Sequence, residues 1–138
     1  MTAAQARARF ADARVARLAT ADVAGRPHLV PIVFAPVGDD GLCFAVDGKP
    51  KSGAPLRRLA NIAANPAVSV LVDHYDDDWE RLWWARADGT ARVIEAGSAR
   101  AAGPLAALAR RYPQYQLTAP PGPVVVISVR RWSGWSAA

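Results

Sequence analysis

The chain has 138 residues, a formal net charge of +5 and one cysteine, with a pI near 10.1. That length suits a single domain, residues 1–138, large enough to bury its own core, and one cysteine excludes a disulfide framework and a thiolate metal cluster. The basic residues are scattered without an RNP-like or recognition-helix pattern, which favours an anionic small molecule over nucleic acid, and no apolar stretch approaches a bilayer span. No signal-peptide pattern precedes residue 13, so the expected setting is cytoplasmic, with no membrane partner.

Residues 3–13, rich in Ala and Arg, predict a helix with Thr2 as its N-cap. Residues 15–21 predict a short strand, and residues 22–27, with Gly25 and Pro27, a turn. Residues 28–35 predict a second strand holding Val30, Ile32, Val33 and Phe34. Pro31 inside it marks an edge, a bulge or a position without a ladder partner, which frees backbone groups for a ligand. The turn at 38–41 then predicts a hairpin with residues 42–46. Cys43 lies in that apolar run and reads as a buried, inert thiol.

The stretch from Asp47 to Asn61 carries the strongest chemical signal. Lys49, Lys51, Arg57 and Arg58 surround Ser52 and two prolines at a predicted helix start. Helix N-termini present unpaired N–H groups and a partial positive charge, so anions settle there. The lysines act as point charges, Ser52 as a hydroxyl donor, and the arginines as bidentate partners. The segment reads as a phosphate cradle, without the spacing of a P-loop.

Residues 55–64 predict the helix itself, with Leu56, Leu59, Ala60 and Ala63 on one face and Arg57 and Asn61 on the other. Asn65-Pro66 ends it. Residues 68–72 predict a β-branched strand leading into Asp73-His74-Tyr75. Asp76, Asp77 and Asp78 lack the spacing and glycine of an EF-hand and read as a solvated loop; no metal is expected. Residues 82–94 favour strand. Asp88-Gly89 makes them a hairpin on turn chemistry, against a single long strand with a close backbone approach at Gly89. Trp83 and Trp84 must face opposite sides of any strand. Residues 98–111 predict a helix, 116–123 a Pro-rich loop and 124–129 a final apolar strand, with Trp132 and Trp135 as core or dimer anchors. The sum is a mainly β protein, a small antiparallel barrel with peripheral helices.

The ordered set of Arg26-Pro-His-Leu-Val-Pro-Ile-Val-Phe34, Asp47-Gly-Lys-Pro-Lys-Ser52, Leu56-Arg-Arg-Leu-Ala-Asn-Ile62 with Asn65-Pro66, and Val68-Ser-Val-Leu-Val-Asp-His-Tyr75 resembles the split β-barrel of pyridoxamine 5′-phosphate oxidase-like flavin proteins. It is most similar to the actinobacterial branch that uses the deazaflavin coenzyme F420. The segment Trp79-Glu-Arg-Leu-Trp-Trp-Ala-Arg86 with Gly89-Thr-Ala91 looks like the following family strand. The resemblance implies a homodimer with cofactor sites at the interface. The cofactor phosphate is then expected near Lys49, Lys51 and Ser52, helped by Arg57 and Asn61. The ring is expected along Pro31, Ile32 and Val33, with Trp79 among the tryptophans able to meet a ring or a partner subunit. Pro50 and Gly53-Ala-Pro55 lengthen the turn relative to FMN oxidases, which suits a longer anionic tail.

The function so implied is hydride transfer between reduced deazaflavin and a small organic acceptor. The proton source is left open between solvent, Tyr75 and His74. An FMN-dependent oxidase or reductase of the same fold is the alternative enzyme. A non-catalytic carrier of the cofactor or of a tetrapyrrole is the alternative outside enzymes, since no nucleophile, triad or metal cluster stands out.

Overall fold

Thr2 starts the first element as expected. In the computed structural model, which describes residues 1–46 and 56–138, the Thr2 hydroxyl accepts from the Gln5 N–H at 3.1 Å, and Gln5 Oε1 accepts from the Thr2 N–H at 2.8 Å. This reciprocal cap opens helix α1, Ala3–Asp12. Ala6 and Phe10 are its buried residues. Three further helices are α2 (Arg57–Ala64), α3 (Ala102–Arg111) and α4 (Pro113–Leu117). The strands are β1 (Ala16–Ala21), β2 (Pro27–Ile32), β3 (Ala35–Val37), β4 (Gly41–Ala45), β5 (Ala67–His74), β6 (Trp83–Ile94) and β7 (Val124–Ser136).

All pairings are antiparallel, in the order β2-β1-β5-β6-β7-β4-β3. The two edge strands, β2 and β3, are separated in sequence only by Val33 and Phe34. The chain therefore draws the opposite edges of the sheet together and rolls it into a split barrel. Pro27 and Pro31 on β2 and Pro36 on β3 sit on those edges, where a missing N–H costs no ladder bond and discourages pairing with another chain.

Residues 28–35 are thus not one strand, and the hairpin with β4 is made by β3 alone. The cause is a change of core. Ile32 and Phe34 point into the main barrel with Leu18, Val70 and Ile127, whereas Ala35 joins Cys43, Leu108 and Tyr112 in a second cluster beneath α3. The break is sealed by Tyr112. Its hydroxyl accepts from the Phe34 N–H at 3.0 Å and shares its hydrogen between the carbonyls of Phe34, 2.7 Å away, and Arg14, 3.0 Å away. Backbone groups that lost their ladder partners are satisfied there by one side chain.

Residues 83–94 form a single strand rather than a hairpin. Gly89 is where it approaches β7: a Cβ there would run into the Ser128 carbonyl oxygen. The ladder shifts register at this point. Asp88 faces Arg131 and Gly89 faces Val129, leaving Arg130 as an extra residue on β7. β7 extends through Ser136, well beyond residue 129, because the long β6 supplies partners for its polar second half. The stretch expected as a helix from 98 begins as a 3-10 turn, Ala99–Ala101. The start of the expected Pro-rich loop lies in α4, which Pro113 opens from its first turn.

Candidate functional site

One end of the barrel is built from the β1–β2 turn and α2. Asp22 organises the turn. Its Oδ1 accepts from the backbone N–H groups of Ala24 and Arg26, both at 2.9 Å, and its Oδ2 from Arg26 Nε at 2.8 Å. Gly25 takes φ +82° to close the loop. The Arg26 N–H, followed by its guanidinium, holds the Asp22 carboxyl below its ordinary range. The Arg26 side chain remains 81% exposed despite that pairing.

Across from this turn stands the first turn of α2. Its N-cap is Leu56, and no side chain among the described residues caps it. The first amides of a helix have no partner within the helix itself. Arg57 is exposed beside them. Asn61, only 4% exposed, donates from Nδ2 to Thr20 Oγ1 at 3.0 Å and so ties α2 to β1. His28 lies opposite Thr20 in the β1–β2 register, and its Nδ1 is buried without a hydrogen-bond partner among the described residues. Asp22, Arg26, Pro27, His28, Arg57 and Asn61 together line a cleft of about 260 Å³. The Asp22–Arg26 pair in the lining is locally neutral, so Arg57 remains as the net positive charge beside the helix start, and the chemistry is that of an anion site. Among the described residues Arg57 forms no ion pair.

The structure therefore brings Arg57 and Asn61 together, as the sequence suggested, with different tasks: Arg57 faces the cleft, and Asn61 is a buried tie at its floor. Lys49, Lys51 and Ser52 lie outside the described residues. In sequence they precede Leu56, with Gly53-Ala54-Pro55 between. Arg58, next to Arg57, does not line the cleft. Arg26 and His28 belonged to the resembling segment without being singled out for a role. The Asp22-to-Arg26 spacing around Gly25 was the available signal, that of an Asx-closed turn.

Pro31 on β2 and Val33 just after it are exposed, whereas Ile32 between them is 6% exposed and part of the main core. Trp79 is 70% exposed in a 3-10 turn, Trp79–Arg81, past the far end of β5. β5 starts two residues after α2's C-cap Asn65 and spans eight residues. At about 3.3 Å each, that puts roughly 23 Å of strand between the α2 end and the Trp79 end. Within one chain Trp79 does not meet Arg57 or Asn61. His74 and Tyr75 are at that far end too. His74 stacks on Trp83 with centroids 6.3 Å apart, and its Nε2 lies 3.7 Å from Asp76.

Trp83 and Trp84 divide as alternation requires. Trp83 packs on the core under the Arg9 guanidinium, 4.4 Å above its ring. Trp84 faces the opposite side, beside Trp135 on β7. Leu29, 68% exposed, and Trp135, 46% exposed, share that outer sheet face with Ala19, Leu71 and Trp84. No helix among the described residues is long and apolar enough to cross a membrane, and no group of metal-ligating side chains gathers among them.

Solved structures share this architecture. A conserved hypothetical protein of Mycobacterium tuberculosis superposes with a TM-score of 0.73 at 23% identity, covering 99% of this chain and 86% of that one. An FAD-binding protein of Mesorhizobium loti gives 0.75 at 22%, covering 97% and 94%. The heme storage protein HutZ of Vibrio cholerae gives 0.69 at 18%, covering 99% and 95%. At such identities the likeness is one of fold. No curated protein sequence matches the chain. The family model described as pyridoxamine 5′-phosphate oxidase spans residues 2–136, nearly every residue whose packing has just been described, and the chain belongs to that family.

Proposed function

We propose that this protein is an oxidoreductase that binds a flavin-type cofactor, coenzyme F420 in the first instance and FMN as the alternative, and passes a hydride to or from a small organic acceptor. The observation that carries the reading is the cleft at the start of α2. It offers Arg57, the start of α2 and the exposed guanidinium of Arg26 to one anionic group. Lys49, Lys51 and Ser52 precede the helix in sequence, with Gly53-Ala54-Pro55 and the cap Leu56 between. A group with a phosphate and an anionic tail fits that donor set.

When bound, the cofactor supplies the hydride chemistry; this chain's residues bind and orient it. Arg57 and the lysines neutralise the phosphate. Asn61 fixes α2 against β1 so that the amides stay aimed. The exposed Pro31 and Val33 offer apolar contact to a ring lying along β2. A homodimer through the outer face bearing Leu29, Leu71, Trp84 and Trp135 belongs to the same reading, because clustered exposed apolar side chains of this kind mark interfaces. Similar folds that bind FAD or store heme support a cofactor-binding role.

The test is a fluorescence and absorbance titration of the purified protein with coenzyme F420, FMN, FAD and hemin. Coenzyme F420 is expected to bind more tightly than FMN, with added salt narrowing the gap. Arg57→Ala and Lys51→Ala should each weaken binding roughly ten- to a hundredfold, since hydrogen bonds to charged groups contribute about 1.5–3 kcal/mol. A preference for FMN at low salt would reverse the order of the two enzyme readings. Tight hemin binding without turnover of any reduced cofactor would replace both by the carrier reading.

A further inference from the structure

The second cleft of interest lies on the other side of the Thr20–Asn61 tie. β1 pairs with β5 only at Arg17, Leu18 and Ala19. Beyond these residues the two strands part, and a cleft of about 370 Å³ opens between them. Its lining includes Thr20, Ser69, Asp88, Gly89 and Arg130. The bulge explains why an arginine is there. Gly89 admits the β7 backbone where any Cβ would collide, the register slips, and the unpaired residue on β7 is Arg130. Bulges re-aim a side chain out of the regular alternation.

The charges in the cleft do not cancel. Asp88 is already satisfied twice: Ser69 Oγ donates to its Oδ1 at 2.6 Å, and Arg86 Nε to its Oδ2 at 3.0 Å. The Arg86–Asp88 pair is locally neutral, so Arg130 remains as net positive charge, with no ion pair among the described residues. Thr20 is 3% exposed, and its Oγ1 accepts from Asn61. Its own hydroxyl hydrogen has no acceptor among the described residues. Ser69 has spent its hydrogen on Asp88 and keeps its lone pairs as acceptors. The cleft thus provides one guanidinium, one free hydroxyl donor and one hydroxyl acceptor.

We infer that the split between β1 and β5 is a subsite for a small organic anion bearing a hydroxyl or amine next to its carboxylate or phosphate. Arg130 pairs with the charge, Thr20 donates to it, and Ser69 accepts from the neighbouring hydroxyl or amine. In the oxidoreductase reading, on which this role rests, the occupant is the acceptor. The Thr20–Asn61 hydrogen bond is then the partition between the acceptor's anion and the cofactor's.

The assignment is tested on the ¹⁵N-labelled protein without cofactor, at constant ionic strength, by NMR titration with sodium lactate, sodium acetate and inorganic phosphate. Lactate or phosphate should shift the Gly89 amide and the Arg130 Nε–Hε saturably, the tighter of the two naming the anion class. Acetate, which lacks the hydroxyl, should bind more weakly than lactate. Arg130→Glu should weaken binding at least tenfold, while Arg131→Glu, one residue on and exposed on the same strand, should leave it within twofold. Equal losses in the two variants, or shifts that never saturate, overturn the subsite. Shifts centred on Arg57 instead would overturn it while leaving the cofactor cleft standing. A change in molecular mass on Arg130→Glu would make Arg130 an interface residue and also overturn it.

Discussion

Asp22 and Cys43 show how single side chains here respond to pH in opposite directions. The Arg26 N–H and guanidinium hold the Asp22 carboxyl below its ordinary value of 3.8. The folded state therefore binds this proton less readily than the unfolded chain. Asp22's contribution is present above pH 3.8 and is lost as pH falls through its lowered folded value. Asp22→Asn should release Arg26 into solvent and abolish the acid-induced change in the amide signals of the 22–26 turn, as followed by NMR between pH 6 and pH 2. Burial pushes the Cys43 thiol up to about 12, from 9.0, and its Sγ donates weakly to the Pro104 carbonyl at 3.7 Å. The neutral thiol is the folded form, so its contribution is complete below pH 9.0 and disappears as pH rises toward 12. Iodoacetamide at pH 8.5 should alkylate Cys43 at least about a hundredfold more slowly in the native protein than in denaturant, because thiolate is the reacting species.

At the scale of elements, two positions decide how the sheet closes. Tyr112 is delivered by the end of α3 to the gap between β2 and β3, where its hydroxyl serves both backbone groups of Phe34. Arg111, its neighbour, donates to the carbonyls of Phe10, Ala11 and Ala13, and so finishes the C-terminus of α1. Tyr112→Phe keeps the ring but strands a buried N–H and C=O. Leaving such groups unmet costs about 1–3 kcal/mol, a loss that urea denaturation would read, with faster amide exchange at Phe34 as the local signature. Gly89→Ala places a methyl against the Ser128 carbonyl. Overpacking of this kind costs about 1–3 kcal/mol. The same variant should disturb Arg130 and so weaken anion binding, whereas Tyr112→Phe should leave the anion cleft unchanged.

For the whole molecule, the question is what covers the outer face of the barrel. Leu29, Leu71, Trp84 and Trp135 form an apolar field there, crossed by the Arg17–Asp73 pair and the Arg86–Asp88–Ser69 network. An isologous dimer buries such a face against itself. Light scattering at micromolar concentration should return twice the chain mass of 14.7 kDa, and Trp84→Glu should shift it to one. A monomer in the unsubstituted protein would remove the dimer and any cofactor site shared between subunits.

What the sequence determined by itself was whatever depends on near neighbours. The Thr2 cap, the Gly25 turn, the Asn65-Pro66 stop and the Trp83/Trp84 division all follow from contacts within a few residues, and all are found in the structure. A mainly β, antiparallel barrel with peripheral helices was legible for the same reason, since short alternating runs and turn residues repeat along the chain, while the split form came from the family resemblance. Arg57 and Asn61 were legible as a pair because helical spacing alone puts them on one side. Only tertiary structure decided the rest. Asp88-Gly89 is good hairpin chemistry, yet the local preference for a turn lost to two long ladders on β5 and β7. The polar end of β7 has little strand signal of its own and exists because β6 extends beside it. The division of residues 28–35 depends on two cores and on a tyrosine 78 positions away from Phe34. Arg130 is invisible as a site residue in sequence, because its placement depends on a register slip that occurs only when Gly89 meets Ser128.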